Sequence, residues 1–271
     1  MRPITRPIIV FGRYAIDMLE FMGGLGFLLR DTAASVHRAL FVSRGRRLGW
    51  ANLWAQMVRV GVKSIPIVSL VVSCIGAILA FQLAPILKSY GVLPLVADVI
   101  ATAMFRELGP LVAAIVLTGF AGASIAAELG TMVVSEEIEA LEAGAISPVR
   151  FLVVPRVLAT TLMMICLAVV ANLVGSIGGM LVSRYFLEIS FTQYIQHSLS
   201  AIHVIDFVTG LVKSGVFGAL ISGLACYLGL GVTGGAEGVG NATTRTVVLT
   251  IVALIFVDLM FTGVFYYLGW Y

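Results

Sequence analysis

Charged residues are scarce in this chain. Asp, Glu, Lys and Arg make up 11% of its 271 residues, whereas hydrophobic residues make up 60%. A soluble domain averages about 25% charged and about 45–50% apolar residues. The composition therefore excludes a soluble globular protein and indicates an integral membrane protein. The alternating ten-residue pattern of outer-membrane barrels is missing as well, so the spans are predicted to be helical.

The motifs of common catalytic sites are absent too. No G-x-x-x-x-G-K-[ST] occurs, and none of the three lysines (Lys63, Lys88 and Lys213) follows such a loop, so the chain cannot bind ATP by a P-loop of its own. There is no H-E-x-x-H and no G-x-S-x-G. The three cysteines lack the spacing of metal ligands. We therefore expect a chain that is not an enzyme, with no metal, no cofactor and no nucleic-acid partner.

The basic residues that are present cluster at the N-terminus, where ten of the seventeen Lys and Arg lie before residue 64. Such clustering is typical of a cytoplasmic segment. Residues 8–29 are amphipathic but too interrupted to span, which predicts a helix lying in the inner-leaflet interface. A basic connector follows, and the segment after it, WANLWAQMVRVGVKSIP, repeats the amphipathic pattern. Residues 1–63 are thus predicted to form a cytoplasmic and interfacial region.

The remainder, residues 64–271, is predicted to be one transmembrane domain. Five apolar stretches are long enough to cross a bilayer, at about residues 65–87, 95–134, 152–183, 207–230 and 246–268. The second would extend about 60 Å as a helix, twice the thickness of the hydrocarbon core, so we expect either a tight hairpin or a span with an extra piece along an interface. Gly109 and Pro110 are the natural break, because proline disrupts a helix just before it. The glycine-rich segment before the last stretch, residues 231–246, is predicted to be a polar loop.

Two of these stretches carry small residues four positions apart, which let helices approach closely in lipid. The pattern predicts that both helices are buried against others, within the chain or across a dimer. The residues concerned are Gly119, Ala123 and Ala127, with Gly122, Ala126 and Gly130 on an adjacent face, and Gly175, Gly179 and Ser183.

The segment SEEIEALEAG, between the second and third spans, is the most charged stretch after the N-terminus. Ser135 followed by two carboxylates is typical of a helix start, and Gly144 is placed to end the helix. A short acidic helix at about residues 135–146, held between two spans on the cytoplasmic side, could dock another protein. The alternative is a solvated loop whose charge is incidental.

Two long segments resemble the MlaE (YrbE) permeases. Residues 105–159 read FRELGPLVAAIVLTGFAGASIAAELGTMVVSEEIEALEAGAISPVRFLVVPRVLA and are similar to the central signature of that family, and residues 241–265 read NATTRTVVLTIVALIFVDLMFTGVF and are similar to its final span. These permeases are the membrane subunits of ABC systems that move phospholipids or other lipids between the inner and outer membranes. The resemblance covers roughly residues 50–268.

The resemblance implies an all-α membrane protein with an N-terminal interfacial helix and five transmembrane helices, in the bacterial inner membrane. It further implies a homodimer, a cytoplasmic ATPase subunit that holds the ATP and Mg, and a periplasmic MCE-domain lipid-binding protein. Its R-E-L-G motif carries a role near the lipid site over to Arg106, Glu107 and Leu108. Tyr90, in the outer turn before the second span, is a weaker, separate carry-over. The implied ATPase-coupling residues are Glu136, Glu137, Glu139, Glu142, Gly144 and Arg150. The T-T-R motif makes Arg245 a cytoplasmic anchor near inner-leaflet headgroups.

Arg106 and Glu107 are adjacent, so on a helix their side chains point about 100° apart and a salt bridge between them is awkward. We expect a separate partner for each, or a polar cavity lined by both, because unpaired charge inside a membrane costs several kcal/mol. In one interpretation they shape the polar part of a lipid path. In the other, Arg106 extends towards the surface and Glu107 bonds a neighbouring helix.

Two other functions fit the composition. An ion-coupled secondary transporter could use the intramembrane carboxylates Glu107, Glu128 and Asp258 as a relay, although the spans show no inverted repeat and five spans suit such a carrier poorly. A non-transporting membrane scaffold for an enzyme is the third hypothesis.

Overall fold

The computed structural model describes residue 16, residues 19–20, residues 22–35 and residues 50–269. Within those ranges every regular element is helical, which confirms the all-α prediction. The beginning of the predicted amphipathic segment, most of the basic connector and the last two aromatic residues (8–15, 36–49 and 270–271) lie outside the described residues.

The helices follow one another in the order α1 (22–35), α2 (Trp50–Val60), α3 (Ile65–Ser89), α4 (Leu95–Ala103), α5 (Gly109–Leu117), α6 (Ala123–Val134), α7 (Glu137–Ala143), α8 (Val154–Phe186), α9 (Phe191–Ala201), α10 (Val204–Leu230) and α11 (Gly235–Tyr267). A 3-10 turn, Val62–Ser64, joins α2 to α3. Turns of π-helix precede α5, α6 and α8, at Met104–Leu108, Thr118–Gly122 and Val149–Val153.

Five helical stretches in the described part are long and apolar enough to cross a membrane, as predicted. They are Asn52–Ser89, Leu95–Val134, Val149–Phe186, Val204–Leu230 and Gly235–Tyr267. Most are longer than the apolar runs of the sequence, because polar residues at their ends are helical too. The described part of the chain is therefore a multi-pass helical bundle.

The predicted break at Gly109 and Pro110 is wrong, because the chain stays helical throughout Leu95–Val134. Proline lacks an N–H, and its ring clashes with the carbonyl four residues earlier in an α-helix. Here the preceding turn is π-helical, and the Gly109 N–H donates to the Met104 carbonyl five residues back. This wider turn accommodates Pro110 in the first turn of α5, so the helix continues.

The predicted polar loop at residues 231–246 is also largely wrong, since α11 begins at Gly235 and residues 235–246 form its first three turns. The turn in which the chain reverses between α10 and α11 is short. In it, Gly234 and Gly235 have φ of 89° and 70°, a conformation that favours glycine. Farther along, a β-carbon at Gly238 would collide with the Thr233 carbonyl. The glycines of this segment therefore permit a tight turn and close packing.

Helix α2 buries Leu53, Gln56 and Val60 against the bundle and leaves Trp54 and Val58 exposed. Gln56 is buried and Arg59 reaches Glu128 on α6, whereas Trp54 is 61% exposed. The exposed tryptophan suits a helix whose outer face meets lipid, although the buried face is formed by apolar residues as well as by Gln56. Only the 3-10 turn separates α2 from α3, so the two helices follow each other almost continuously.

Helix α8 packs along α3 on one side and against α10 on another. A β-carbon at Gly76 would collide with the Gly175 carbonyl, and one at Gly178 with the Ser73 carbonyl. Backbones this close require glycine at the contact, as is common between membrane helices. The packing predicted from the small residues of α8 is therefore confirmed within the chain.

The two small-residue faces around α6 have different environments. Ala126 and Gly130 are buried, on a helix that packs against α10 and α11. Gly119 is exposed, and a β-carbon there would meet no atom within 4 Å. The face with Gly122, Ala126 and Gly130 is therefore packed inside the chain. The face that begins at Gly119 remains exposed along part of its length.

The two ends of the bundle carry different elements. Helix α7 leaves the end of α6 where Gly130 packs against Val232, so it lies at the end where α10 passes into α11. Helix α9 connects α8 to α10 at the opposite end, where His197 Nδ1 lies 3.1 Å from an Asp98 oxygen on α4. Burial raises the pKa of the Tyr194 phenol on α9. We refer below to the α7 end and the α9 end.

Candidate functional site

Arg106, Glu107 and Leu108 lie together in the π-helical turn between α4 and α5, and all three are half-buried. A π turn offsets the side chains that follow it and often occurs at functional sites. The turn directs the two charged side chains towards different partners, as the sequence predicted. The principal partners of both side chains lie on α10.

The partner of Arg106 is Asp206, at the start of α10. The Arg106 Nε donates a 2.6 Å hydrogen bond to Asp206 Oδ1. The second carboxylate oxygen of Asp206 accepts from the His203 backbone N–H at 2.9 Å, which caps α10. Because Asp206 is fully buried and held by this cap, it fixes the position of the Arg106 side chain, which remains 23% exposed.

The partner of Glu107 is Lys213, on α10. Lys213 Nζ donates to Glu107 Oε2 at 2.6 Å and lies 3.1 Å from Asp258 Oδ1 on α11. Thr262, one turn after Asp258, accepts from Lys213 at 3.0 Å and donates to Glu107 Oε1 at 2.8 Å. We call Glu107, Lys213, Asp258 and Thr262 the Lys213 network. It joins the π turn to α10 and α11 through charge-assisted hydrogen bonds.

The network is buried within the spans. The Lys213 side chain is fully buried, while the Glu107 side chain is 30% exposed. Burying an ammonium group is tolerated only with close counter-charges and satisfied hydrogen bonds, which Glu107, Asp258 and Thr262 supply. Lys213 lies nine residues into α10, about 14 Å along its axis from the α9 end. The partly exposed groups, Arg106 and Glu107, therefore present polar atoms within the length of the spans, away from the α9 end.

Tyr90 is not brought to this network. It lies in the turn after α3 and is 76% exposed. Arg106 is eleven residues beyond Leu95, the first residue of α4, or about 16 Å along the helix. Tyr90 thus marks the α9 end of the bundle, separate from the Arg106 and Glu107 pair.

A second ionic cluster lies nearer the α7 end. Glu128 accepts from Arg59 at 2.7 Å and pairs with Arg156 at 3.0 Å, which ties α6 to α2 and α8. Arg156 is buried and also donates to the Leu152 carbonyl at 2.8 Å. Glu128 is 21 residues beyond Glu107 on the same helical stretch, about 32 Å along the axis. The three carboxylates of the relay hypothesis therefore do not form one chain.

Helix α7 presents its carboxylates to the outside. Glu136, Glu137, Glu139 and Glu142 are all exposed, while Ile138 and Leu141 pack against the core of the bundle. The apolar pair anchors the helix and leaves its acidic surface accessible. This element matches the predicted short acidic helix in position.

The predicted cap of α7 is wrong in detail. Glu136 occupies the N-cap with φ of 59°, and no side chain caps the helix. The Ser135 hydroxyl instead donates to the Thr131 carbonyl at 2.9 Å, so it closes the end of α6. The sharp turn between α6 and α7 leaves no room for a serine cap and is made by a left-handed Glu136.

The remaining predicted residues lie at or near the α7 end. Gly144 is the C-cap of α7, as predicted. Arg150 is exposed in the π turn before α8, and Arg245 is exposed in the third turn of α11. Gly144 and Arg150 thus lie in the segment between α7 and α8, and Arg245 lies near the start of α11.

Sequence reasoning missed Asp206, Lys213 and Thr262 as site residues. Lys213 carried a usable signal, since a lysine within an apolar span needs a partner. Asp206 lies at the beginning of the same span and carried a weaker signal of that kind. Thr262 carried none, because a threonine in a membrane helix usually bonds its own backbone.

These features define a class: a multi-pass α-helical membrane protein with an ionic network between its spans and a short acidic helix exposed at one end. Comparison with known proteins identifies the family. The family model for permease MlaE matches residues 53–264, and the chain belongs to the MlaE permease family.

Curated relatives agree with this assignment. The chain is 37% identical, over 78% of its length and 82% of the relative, to a probable ABC transporter permease protein of Rickettsia felis. It is 34% identical to protein TRIGALACTOSYLDIACYLGLYCEROL 1, chloroplastic, of Arabidopsis thaliana, over 81% of this chain and 63% of the relative. It is 29% identical to the intermembrane phospholipid transport system permease protein MlaE of Haemophilus influenzae, over 98% of this chain and 100% of the relative.

Proposed function

We propose that the chain is the permease subunit of an ABC transporter that moves phospholipid or a related lipid between the inner membrane and the periplasm or outer membrane. The observation that carries the proposal is the family match across all five spans, together with the functions stated in the relatives' names. The energy comes from a separate ATPase subunit that holds ATP and Mg, because the sequence has no P-loop. The chain itself carries no cofactor.

The acidic surface of α7 is the proposed docking site for that ATPase. Its four exposed carboxylates suit a partner with a basic groove, and Ile138 and Leu141 hold the helix against the bundle. A movement of α7 would therefore be passed directly to α6. Arg150, exposed at the start of the next span, lies in the same region and completes this proposed coupling surface.

The polar part of the lipid path is proposed to include Arg106, Glu107 and Leu108. Arg106 is oriented by Asp206 and keeps part of its side chain exposed, so it can donate hydrogen bonds to a phosphate. Glu107 is held by Lys213 and Thr262 and acts as a gate or as an orienting group, because a carboxylate repels phosphate. Tyr90, exposed at the α9 end, contributes at the mouth of the path.

The proposed assembly is a homodimer in the bacterial inner membrane. The N-terminus and the α7 end face the cytoplasm, and the α9 end faces a periplasmic MCE-domain lipid-binding protein. Helix α11 supports dimerisation, because only 11% of its most apolar stretch is buried, against 28–50% for the other four spans. An apolar helix face left open in this way suits packing against a second copy.

The relay hypothesis is the weaker second function. Asp258 and Glu107 both contact Lys213, but Glu128 lies about 32 Å farther along the helical stretch that carries Glu107, in ion pairs with two arginines. A proton relay needs closer carboxylates. The geometry therefore favours a path lined by fixed charges.

The full-length tagged chain, purified from its native membrane in mild detergent, tests the proposal by native mass spectrometry. We expect two copies of the chain, an ATPase subunit, and bound phospholipid in one complex. A chain that purifies reproducibly alone, with no ATPase and no lipid, would contradict the proposed function. The same experiment excludes a scaffold if bound lipid is released when ATP is added.

A further inference from the structure

A cavity of about 830 Å³ opens at the α7 end of the bundle, between the N-terminal helix α1 and the junction of α10 with α11. Its volume lies within the usual range for small-ligand sites. Tyr227 on α10 lines it, and Tyr227 is fourteen residues beyond Lys213, about 21 Å along the helix. The cavity is therefore separate from the Lys213 network and lies at the opposite end of the spans.

Helix α1 is seated closely on α10 beside this cavity. A β-carbon at Gly24 would collide with the Tyr227 ring, and one at Gly223 would meet Leu29 at 2.9 Å. Such contacts require glycine on one helix and a larger side chain on the other. The wall that α1 contributes is thus fixed by direct packing against α10.

The two walls of the cavity carry opposite charges. Glu20 and Asp31 line it from the N-terminal side, whereas Arg245 and Asn241 line it from α11. Arg245 and Asn241 are four residues apart, so they share one face of α11 and offer adjacent hydrogen-bond donors. Apolar side chains, among them Phe27 on α1, line the cavity beside the charged ones.

This arrangement fits one class of ligand. A guanidinium group binds phosphate oxygens through paired hydrogen bonds, while carboxylates bind an ammonium group. The apolar residues beside them suit the first carbons of acyl chains. A ligand with all three features is a phospholipid whose headgroup carries both a phosphate and an ammonium.

We propose that this cavity binds the headgroup of a zwitterionic phospholipid from the leaflet at the α7 end. The phosphate lies towards Arg245 and Asn241, and the ammonium lies towards one of the two carboxylates, Glu20 or Asp31. These are eleven residues apart, about 16 Å along a helix, so a single ammonium contacts only one of them. The inference rests on the proposed function for the idea that phospholipid is the cargo, and it adds a headgroup preference and a loading site remote from Arg106. Both charged walls are needed for the preference, since the arginine alone would accept any phospholipid.

The test uses the full-length chain in phosphatidylcholine-free nanodiscs. Phosphatidylethanolamine and phosphatidylglycerol probes with the same photoactivatable acyl chain are supplied in separate samples, and labelled peptides are mapped by mass spectrometry. We expect the phosphatidylethanolamine probe to label peptides that contain Phe27 and Tyr227 about fivefold more than the phosphatidylglycerol probe, a ratio in keeping with one partly exposed ion pair. Equal labelling by the two probes, or labelling confined to other surfaces, would overturn the proposal.

Variants test the role of each charged wall of the cavity. Glu20→Gln combined with Asp31→Asn should bring the ratio of the two probes close to one, whereas Arg245→Gln should lower labelling by both. Arg184→Gln removes an exposed arginine at the α9 end, which does not line the cavity, and should change neither. If Arg245→Gln fails to elute as a folded protein, Arg245→Lys supplies the comparison, because it keeps the charge and loses the paired geometry.

The labelling test of the cavity can succeed or fail independently of the test of the proposed function. Lipid movement by the assembled complex with no labelling of the cavity would overturn this inference and leave the proposed function standing. Selective labelling of the cavity by a complex that moves no lipid would support the binding site and count against transport. A carboxamide double variant that retains the full preference for phosphatidylethanolamine would overturn the role of Glu20 and Asp31.

Discussion

Lys213 donates a 2.6 Å hydrogen bond to Glu107, a residue 106 positions earlier in the chain, and its own side chain is fully buried. The same ammonium lies 3.1 Å from Asp258. One cation thus ties a π-helical turn to two other membrane helices. The relationship explains how a charged side chain persists within the spans, because the ammonium replaces hydration with three fixed oxygen partners.

Removing the cation should destabilise the bundle. Lys213→Met leaves Glu107 and Asp258 without their shared ammonium, and breaking a buried pair in this way costs about 3–5 kcal/mol. We expect a clearly lower melting temperature in detergent. Lys88→Met, at an exposed lysine near the end of α3, is the control and should melt like the parent. Equal melting of both variants would show that the network contributes nothing to stability.

Arg106→Ala should weaken lipid binding without releasing the ATPase. The change removes a guanidinium that Asp206 orients, and a charge-assisted bond to phosphate is worth about 1.5–3 kcal/mol, or roughly tenfold or more in affinity. Bound lipid is measured by photo-crosslinking in the assembled complex, and ATPase retention by subunit stoichiometry. Arg184→Ala, at an exposed arginine at the α9 end, serves as the control. Unchanged crosslinking in Arg106→Ala would refute a lipid-binding role.

Reversing the charge of α7 should detach the ATPase. In Glu139→Lys combined with Glu142→Lys, two exposed carboxylates become cations that repel a basic groove, so docking should be lost during purification. Glu188→Lys alters an exposed carboxylate at the opposite end and should keep full ATPase stoichiometry. If the α7 double variant retained the ATPase as the control does, the coupling surface would have to lie elsewhere.

The open face of α11 should meet a second copy of the chain. Phe256 is 62% exposed on this helix, so Phe256→Cys, in a chain whose native cysteines are replaced by serine, should give a disulfide-linked dimer on mild oxidation. Leu173→Cys, at an exposed position on α8, is the matched control and should stay monomeric under the same conditions. No dimer from either position would contradict an α11 interface.

The sequence predicted the spans well because hydropathy depends only on local composition. It failed at Pro110 and at residues 231–246, where local rules about proline and glycine favour a break or a loop. In the structure a π turn accommodates the proline, and Gly234 and Gly235, both with positive φ, make a short turn from which α11 starts. Both errors arise because general rules for proline and glycine foresee neither a π turn before the proline nor a reversal confined to two glycines.

The candidate site, like the fold, was only partly predictable from the sequence. The sequence predicts separate partners for Arg106 and Glu107, or a polar cavity lined by both, because adjacent residues on a helix point about 100° apart. The structure confirms the separate partners. The identities of Asp206 and Lys213 could not be predicted, because these partners are 100 and 106 residues away and no local pattern connects them. Only the packing of α10 against the π turn brings them together.

The central claim is that this chain, with an ATPase, moves lipid at the expense of ATP. The most direct measurement reconstitutes the native complex in vesicles and follows fluorescent phospholipid passing to an MCE-domain acceptor. The account predicts movement that requires hydrolysable ATP, falls in Arg106→Ala, and does not respond to an imposed proton gradient. Lipid movement driven by that gradient without ATP, or no movement by an intact and ATP-hydrolysing complex, would contradict it.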